Sequence, residues 1–100
     1  MPGSRNSTAI MFHYVCVLES IKNENLYVGY TIDLNNRLKE HNRGSVFSTK
    51  PYLPWRIIHF EAYLNINDAR RREKYLKTSR GARLLKRMIK EYFYSQKYKF

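Results

Sequence analysis

Two short segments rich in aromatic and β-branched residues, separated by a polar turn, constrain this chain most. Residues 10–18 and residues 26–31 both have the composition of β-strands. Residues 20–25 between them are polar and turn-like. The two segments are therefore predicted to pair as an antiparallel hairpin at the start of the fold.

A helix and a third strand are predicted to follow the hairpin. Thr31 or Asp33 is the expected N-cap of the helix, and Gly44 is expected to end it with a left-handed cap. Residues 45–54 contain two prolines and are predicted to form a loop. Residues 55–63 then have the composition of a strand.

The rest of the chain is predicted to be helical. Asn67 is the expected N-cap of a helix that runs to about Lys77, and Ser79 is the expected cap of a last helix over about residues 81–94. The order β-β-α-β-α-α predicts an α+β fold, in which a small three-stranded antiparallel sheet is flanked by helices.

The length and the single cysteine limit the organisation of the chain. We expect one domain over residues 10–94, a flexible N-terminal tail over residues 1–9 and a C-terminal tail over residues 95–100. Cys16 is the only cysteine, so no internal disulfide can form. No apolar run is long enough to span a bilayer, and the N-terminus has no signal-peptide core. A cytoplasmic protein is expected.

The charge balance points to a polyanionic partner. Nineteen Lys and Arg against eight Asp and Glu give a formal net charge of +11. Such an excess opposes folding through self-repulsion, which favours nucleic acid as the partner and an anionic membrane surface as the second choice. The alternative is a basic protein that is merely soluble. The candidate nucleic-acid contacts are Arg70, Arg71, Lys74, Lys77, Arg80, Arg83, Lys86 and Arg87.

The first helix carries a basic pair that has the spacing of a site. Arg37 and His41 are four residues apart, so they lie on one helix face, beside the apolar stripe of Leu34 and Leu38. A guanidinium and an imidazole at that edge would be half-buried and held in place. The alternative is a surface pair that only covers the stripe with its aliphatic stems.

Glu73 is the only acidic residue among ten basic ones between residues 70 and 90. On the helix it falls between Ala69 and Leu76, within the apolar stripe, where a carboxylate is costly unless a cation pairs with it. That cation is either an arginine, with Arg37 and Arg72 as candidates, or a bound Mg²⁺.

Two tyrosines of the second strand are also candidates. Tyr27 and Tyr30 are three positions apart, so they are expected to point to opposite faces of the sheet. Gly29 lies between them, and glycine in a strand often marks the close approach of another chain or a ligand.

Five short segments follow one another in a set order along the chain. They are residues 14–18, 27–31, 34–42, 54–55 and 72–77. Together they resemble the GIY-YIG nuclease domain, and its short stand-alone bacterial members in particular, over about residues 12–90. The resemblance implies a compact α+β fold and hydrolysis of phosphodiester bonds, in DNA more than in RNA, with Mg²⁺ or Mn²⁺.

The resemblance also implies roles for single residues. Tyr27 matches the tyrosine of the second motif half, Arg37 the catalytic arginine, and His41 the histidine-or-tyrosine position one turn later; Glu73 matches the metal-binding glutamate. Arg37 would meet the negative charge of the pentavalent phosphorus. His41 is expected to titrate near neutrality, so either it or Tyr27 could accept the proton of the attacking water.

One motif position departs from the family pattern. The first motif half normally ends in tyrosine, and here that residue is Cys16, whose thiol is a weak donor without the reach of a phenol. Tyr14 lies two residues earlier on the same strand face and is a candidate substitute. We expect a working, slower endonuclease. The alternatives are a non-catalytic nucleic-acid-binding module of the same fold and, less favoured, a basic protein-binding adaptor.

Overall fold

Three antiparallel strands form the centre of the fold. The computed structural model describes residues 10–97, so the predicted tail over residues 1–9 and the last three residues lie outside the described part. The strands are β1 (His13–Ser20), β2 (Leu26–Thr31) and β3 (Trp55–Tyr63), and β1 lies between the other two. The predicted hairpin and the bounds of β2 and β3 are confirmed.

The bounds predicted for β1 were wrong by two or three residues. This strand ends at Ser20, not residue 18, because its last residues still have partners: Glu19 pairs with Arg56 and Ser20 with Trp55. Pairing with β3, a contact distant in sequence, therefore decides where β1 ends.

The first helix, α1, spans Leu34–Asn42. Asp33 is its N-cap, and its carboxylate accepts a hydrogen bond of 3.1 Å from the backbone N–H of Asn36. Gly44 has a φ of +76° and follows the helix end, as the sequence predicted. Within the predicted loop, Lys50–Tyr52 forms one 3₁₀ turn.

The second helix, α2, spans Ile66–Leu76. Its N-cap is Asn65 and not the predicted Asn67, because the Asn65 side chain accepts from the Asn67 N–H at 2.8 Å. Two asparagines at this helix start both satisfy the sequence pattern, and Asn65 is the one with the extended backbone of an N-cap.

The predicted last helix is two helices. The third helix, α3, spans Ser79–Met88 and is capped by Thr78, not by Ser79. The fourth, α4, spans Lys90–Lys97, and the break lies at Ile89, whose φ of −118° and ψ of +36° are not helical. The predicted single helix over residues 81–94 was therefore wrong, and α4 extends into the segment expected to be a tail.

Helices pack on both faces of the sheet. Val15 and Val17 of β1 are fully buried against Ala69 of α2 and against Leu76 and Leu85 at the α2–α3 pair. Side chains alternate along a strand, so Cys16, which lies between these valines, faces the other side, towards α1. The two-sided burial of β1 fixes its register, because a shift by one residue would exchange the two faces.

A glycine permits the close approach of α2 and α3. A Cβ atom built on Gly81 would lie 2.0 Å from the backbone oxygen of Tyr75 and 2.6 Å from the Cα of Leu76. Neither backbone atom can move without displacing its helix. Only glycine therefore fits the start of α3.

A buried carboxylate attaches α4 to the sheet. Glu19 is buried and accepts hydrogen bonds from Arg56, at 3.0 Å, and from the Tyr92 hydroxyl. Burial and this carboxylate raise the pKa of Tyr92 to about 12. Tyr92, at the start of the aromatic C-terminal segment, is therefore bound to the sheet.

Candidate active site

Tyr27, Arg37 and His41 form one contact cluster between β2 and α1. The Tyr27 and His41 ring centroids are 4.8 Å apart, and an Arg37 Nη2 donates to the Tyr27 hydroxyl at 3.5 Å. Trp55 covers the cluster from β3, with its ring centroid 6.4 Å from that of Tyr27. Three of the residues predicted from the sequence are therefore neighbours in space.

Asn42 holds the end of α1 against the start of β3. Its side-chain oxygen accepts from the Trp55 backbone N–H at 2.7 Å, and its amide nitrogen donates to the Trp55 carbonyl at 3.0 Å. These two bonds imitate a strand pairing and fix the distance between the helix and the sheet. His41, the residue before Asn42, lies in the interior at this helix end.

His41 is fully buried, with 0% of its surface exposed. The sequence predicted a half-buried imidazole that titrates near neutrality, and both expectations were wrong. Burial, reinforced by the nearby Arg37 charge, lowers the pKa of His41 to about 4. The imidazole is therefore neutral at physiological pH.

The sequence did not single out Thr49, the partner of His41. The Thr49 hydroxyl lies 2.8 Å from His41 Nδ1, while His41 Nε2 is buried without a hydrogen-bond partner in the described part of the chain. Thr49 lies in the loop after α1, eight residues from His41, and no sequence pattern connects the two.

Arg37 is half-buried, as the sequence predicted. Its Nη1 forms an ion pair of 3.2 Å with Glu40, and its Nε is buried without a partner among residues 10–97. Burial alone would lower the pKa of Arg37, but the hydrogen bonds to Tyr27 and Glu40 leave that pKa raised. The guanidinium is a fixed positive charge at the cluster.

Gly29 permits the position of the Tyr27 ring. A Cβ atom at residue 29 would lie 2.9 Å from Cε2 of Tyr27, so the ring lies over the glycine. The close approach that glycine indicated is therefore made by a side chain of the same strand. Tyr27 and Tyr30 do point to opposite faces, because Tyr27 pairs with Leu18 and Tyr30 with Val15.

Cys16 lies opposite Gly29 in the sheet and is 1% exposed. Burial raises the pKa of the Cys16 thiol; the Arg37 charge opposes this rise and the Glu73 charge reinforces it. Both charges are therefore close enough to act on the same sulfur. A buried thiol of raised pKa is a packing residue rather than a nucleophile.

Tyr14 is on the same face as Cys16 but is engaged with other aromatic rings. Its ring lies 5.8 Å from that of Phe60 and 6.4 Å from that of Phe12, between centroids. Tyr14 pairs with Thr31 at the end of β2, at the opposite end of this face from Tyr27. Its proposed role as a substitute stays a prediction.

Glu73 is held by two cations of its own helix region. Arg70 lies 3.2 Å and Lys77 lies 2.9 Å from the Glu73 carboxylate. The Glu73 side chain is 13% exposed. Neither expected arginine is its partner: Arg72 pairs with Glu61 at 2.9 Å, and Arg37 pairs with Glu40. The predicted structural partners were therefore wrong.

Tyr30 supports one of these cations. The Arg70 guanidinium lies 3.9 Å from the centroid of the Tyr30 ring, and the Tyr30 hydroxyl is 2.6 Å from His13 Nδ1. This stack holds Arg70 beside Glu73 from the α2 face of the sheet.

The donor set suits a metal held through one carboxylate. Residues 10–97 contain no group of three or more His, Cys, Asp or Glu side chains arranged to enclose an ion. Mg²⁺ commonly takes one or two carboxylates and completes its shell with water and phosphate oxygens. Lys77 is more than half exposed and can move aside, whereas Arg70 is also stacked on Tyr30, so its bond to Glu73 would have to break for an ion to bind. Glu73 fits such an ion.

The basic residues predicted to contact nucleic acid lie on α2, α3 and the turn between them. Arg71 is paired with Asp68 at 2.6 Å, and Arg70 and Lys77 are paired with Glu73, whereas the other five members show no hydrogen bond or ion pair within the described residues. Their charges face solvent. These members are Lys74, Arg80, Arg83, Lys86 and Arg87.

The chain matches the GIY-YIG catalytic domain over residues 12–88. It belongs to the GIY-YIG family. A UPF0213 protein of Haloquadratum walsbyi is 37% identical over 68 residues, which are 67% of this chain and 75% of that protein. A UPF0213 protein of Staphylococcus aureus is 35% identical over 80 residues, which are 79% of this chain and 95% of that protein.

A solved structure is also similar. The solution NMR structure of a UPF0213 protein from Bacillus halodurans has a TM-score of 0.51 and 32% sequence identity, and covers 79% of this chain and 86% of that one. The GIY-YIG match contains all three strands and α1 to α3, and leaves α4 outside. No helix within residues 10–97 is long and apolar enough to cross a membrane.

Proposed function

We propose that this GIY-YIG protein is a metal-dependent endonuclease that hydrolyses phosphodiester bonds in DNA. The contact of Tyr27 with both Arg37 and His41 carries the proposal. This cluster combines a phenol and a neutral imidazole, which can transfer protons, with a fixed guanidinium, which can stabilise charge on a phosphate diester.

Arg37 would bind the phosphate. Its side chain is 28% exposed, and its present partners, Glu40 and the Tyr27 hydroxyl, hold it in place without enclosing it. A guanidinium offers parallel N–H donors to phosphate oxygens. Charge accumulates on those oxygens at the transition state, so Arg37 would stabilise that state more than the bound substrate.

Tyr27 and His41 would accept and transfer the proton of the attacking water. The Tyr27 oxygen accepts from Arg37, which leaves its own hydrogen free to be donated. The neutral imidazole of His41 lies against the same ring and is in the form that accepts protons. His41 is fully buried and packs against Trp55, so only the partly exposed Tyr27 would meet the attacking water.

Glu73 would hold Mg²⁺ or Mn²⁺. When bound, such an ion neutralises charge on the phosphate and on the leaving 3′ oxygen. Arg70 and Lys77, released from the carboxylate, would become available to neighbouring phosphates. The exposed cations of α2 and α3 would add affinity that does not depend on sequence.

The test is cleavage of supercoiled plasmid and of labelled single-stranded and branched DNA oligonucleotides. Each substrate is incubated with Mg²⁺, Mn²⁺ or EDTA. We expect cleavage with either metal and none in EDTA. DNA is proposed over RNA on the family resemblance, and an RNA oligonucleotide of the same sequence tests that choice. Equal cleavage with and without metal would contradict the proposal.

Cys16 favours a second candidate function, a non-catalytic module that binds nucleic acid. That module would bind DNA with a steep salt dependence and cleave it under no metal condition. Replacement of Cys16 by Tyr separates the two. Added volume at this buried position is expected to destabilise the fold by about 1–3 kcal/mol. Cleavage that appears only in Cys16→Tyr would identify the natural chain as the module.

A further inference from the structure

Thr49 has hydrogen bonds that bear on which ring nitrogen of His41 carries the hydrogen. Thr49 is 2% exposed and lies just before the 3₁₀ turn. Its hydroxyl is 2.8 Å from His41 Nδ1 and donates to the carbonyl of Val46 at 3.2 Å. Its own carbonyl accepts from Trp55 Nε1 at 3.0 Å.

The direction of these bonds assigns the hydrogen on the imidazole. A threonine hydroxyl has one hydrogen, which here goes to the Val46 carbonyl. Towards His41 the same oxygen can then only accept, so Nδ1 must be the donor. Burial and the Arg37 charge keep the imidazole neutral by lowering the pKa of His41, and a neutral ring has a single N–H. Nε2 is therefore the nitrogen with a free lone pair.

We propose that Thr49 is a positioning residue that fixes His41 as the Nδ1–H tautomer, so that Nε2 is the proton acceptor of the site. This inference rests on the proposed nuclease function. Nε2 is buried and has no partner within residues 10–97. An acceptor without a partner costs free energy in the free protein, and a proton that arrives during the reaction compensates that cost.

The proton balance of the step is simple. The water oxygen forms a bond to phosphorus while the bond from phosphorus to the leaving oxygen breaks. Because His41 is fully buried, the proton lost by water would go to the partly exposed Tyr27 hydroxyl, which would give up its own proton to His41 Nε2 as it takes one. The resulting imidazolium, buried beside Arg37, would return its proton through Tyr27 to the leaving oxygen, which restores the neutral ring.

Thr49→Val and Thr49→Ser are the matched variants. Valine keeps the shape and the backbone bond to Trp55 but removes the hydroxyl, whereas serine keeps the hydroxyl. The tautomer is read by nitrogen NMR of protein labelled in its histidines, which shows which ring nitrogen carries hydrogen. The kinetic constants are measured on the cleaved oligonucleotide. Folding of each variant is checked by circular dichroism.

We expect Nδ1–H in the natural protein and in Thr49→Ser, and loss of that single tautomer in Thr49→Val. The kcat of Thr49→Val should fall by about 10- to 100-fold with little change in KM, and serine should restore it. Nε2–H in the natural protein, or an unchanged kcat in a folded Thr49→Val, would overturn the inference. If the natural protein cleaves nothing, the proposed function fails, and the tautomer spectrum alone decides the role of Thr49.

Discussion

The burial of His41 predicts a stability loss in mild acid. The pKa of His41 is about 4 in the folded protein because burial disfavours the charged ring, against 6.5 for an ordinary histidine. Between these values the unfolded chain binds a proton that the folded chain excludes, so stability falls as the pH falls through this window. From pH 7.5 to pH 5 the loss is about 2 kcal/mol, calculated from the two pKa values.

Urea unfolding at the two pH values measures this loss, with His41→Gln as the control. Burial alone would raise the pKa of Glu61, but hydrogen bonds led by Arg72 lower it to about 2, so this carboxylate does not titrate in the window. We expect the natural protein to lose about 2 kcal/mol more than His41→Gln between pH 7.5 and pH 5. Equal losses in the two proteins would refute the assignment of a buried, neutral imidazole.

Three further changes test the cluster and the fold. Arg37→Lys should reduce kcat by about 10²- to 10³-fold, because the phosphate contact and the bond to Tyr27 need a guanidinium, while the exposed Arg43→Lys should cleave normally. A normal rate in Arg37→Lys would exclude that role. Gly29→Ala should displace the Tyr27 ring, whose Cε2 would lie 2.9 Å from the new Cβ. It should lower kcat by more than its effect on the urea midpoint can explain. An unchanged kcat would mean that the position of the Tyr27 ring does not matter for cleavage. Gly81→Ala should destabilise the fold by about 3 kcal/mol or more in urea unfolding, because the new Cβ would lie 2.0 Å from a backbone oxygen, and a loss below about 1 kcal/mol would contradict that packing.

Local patterns in the sequence predicted the sheet and α1 well. The bounds of β2 and β3 follow from composition and from the turns beside them, and Asp33 and Gly44 mark α1 by capping chemistry. The predicted helix caps were wrong where two nearby residues are equally good N-caps. Thr78 and Ser79 are both good caps, and in the structure the Thr78 hydroxyl accepts from the Gly81 N–H.

The sequence predicted which residues form the site, but not their burial or their hydrogen-bond partners. The resemblance named Tyr27, Arg37 and His41, and the structure brings these three together. Nothing local to His41 shows that Trp55 and the loop with Thr49 will close over it, because both belong to later parts of the chain. The lowered pKa of His41, and the ring nitrogen that carries its hydrogen, therefore depend on tertiary contacts.

The partners of Glu73 show the same limit. Helical spacing places Arg70 and Lys77 within reach of Glu73, yet the sequence analysis favoured Arg37 or Arg72 as its arginine partner. Arg72, on the same helix, is instead taken by Glu61, a residue of β3 that the sequence did not single out. Competition among ten basic residues for few carboxylates is decided by the fold.

The most direct test of the proposed nuclease compares Glu73→Gln with Asp68→Asn in metal-dependent plasmid cleavage. Both changes remove one negative charge from α2, but Asp68 is exposed and its carboxylate pairs only with Arg71 among residues 10–97. We expect Asp68→Asn to cleave at the natural rate with Mg²⁺, and Glu73→Gln to bind plasmid but leave it intact at any Mg²⁺ concentration. Cleavage by Glu73→Gln at the natural rate and with the natural Mg²⁺ dependence would contradict the account.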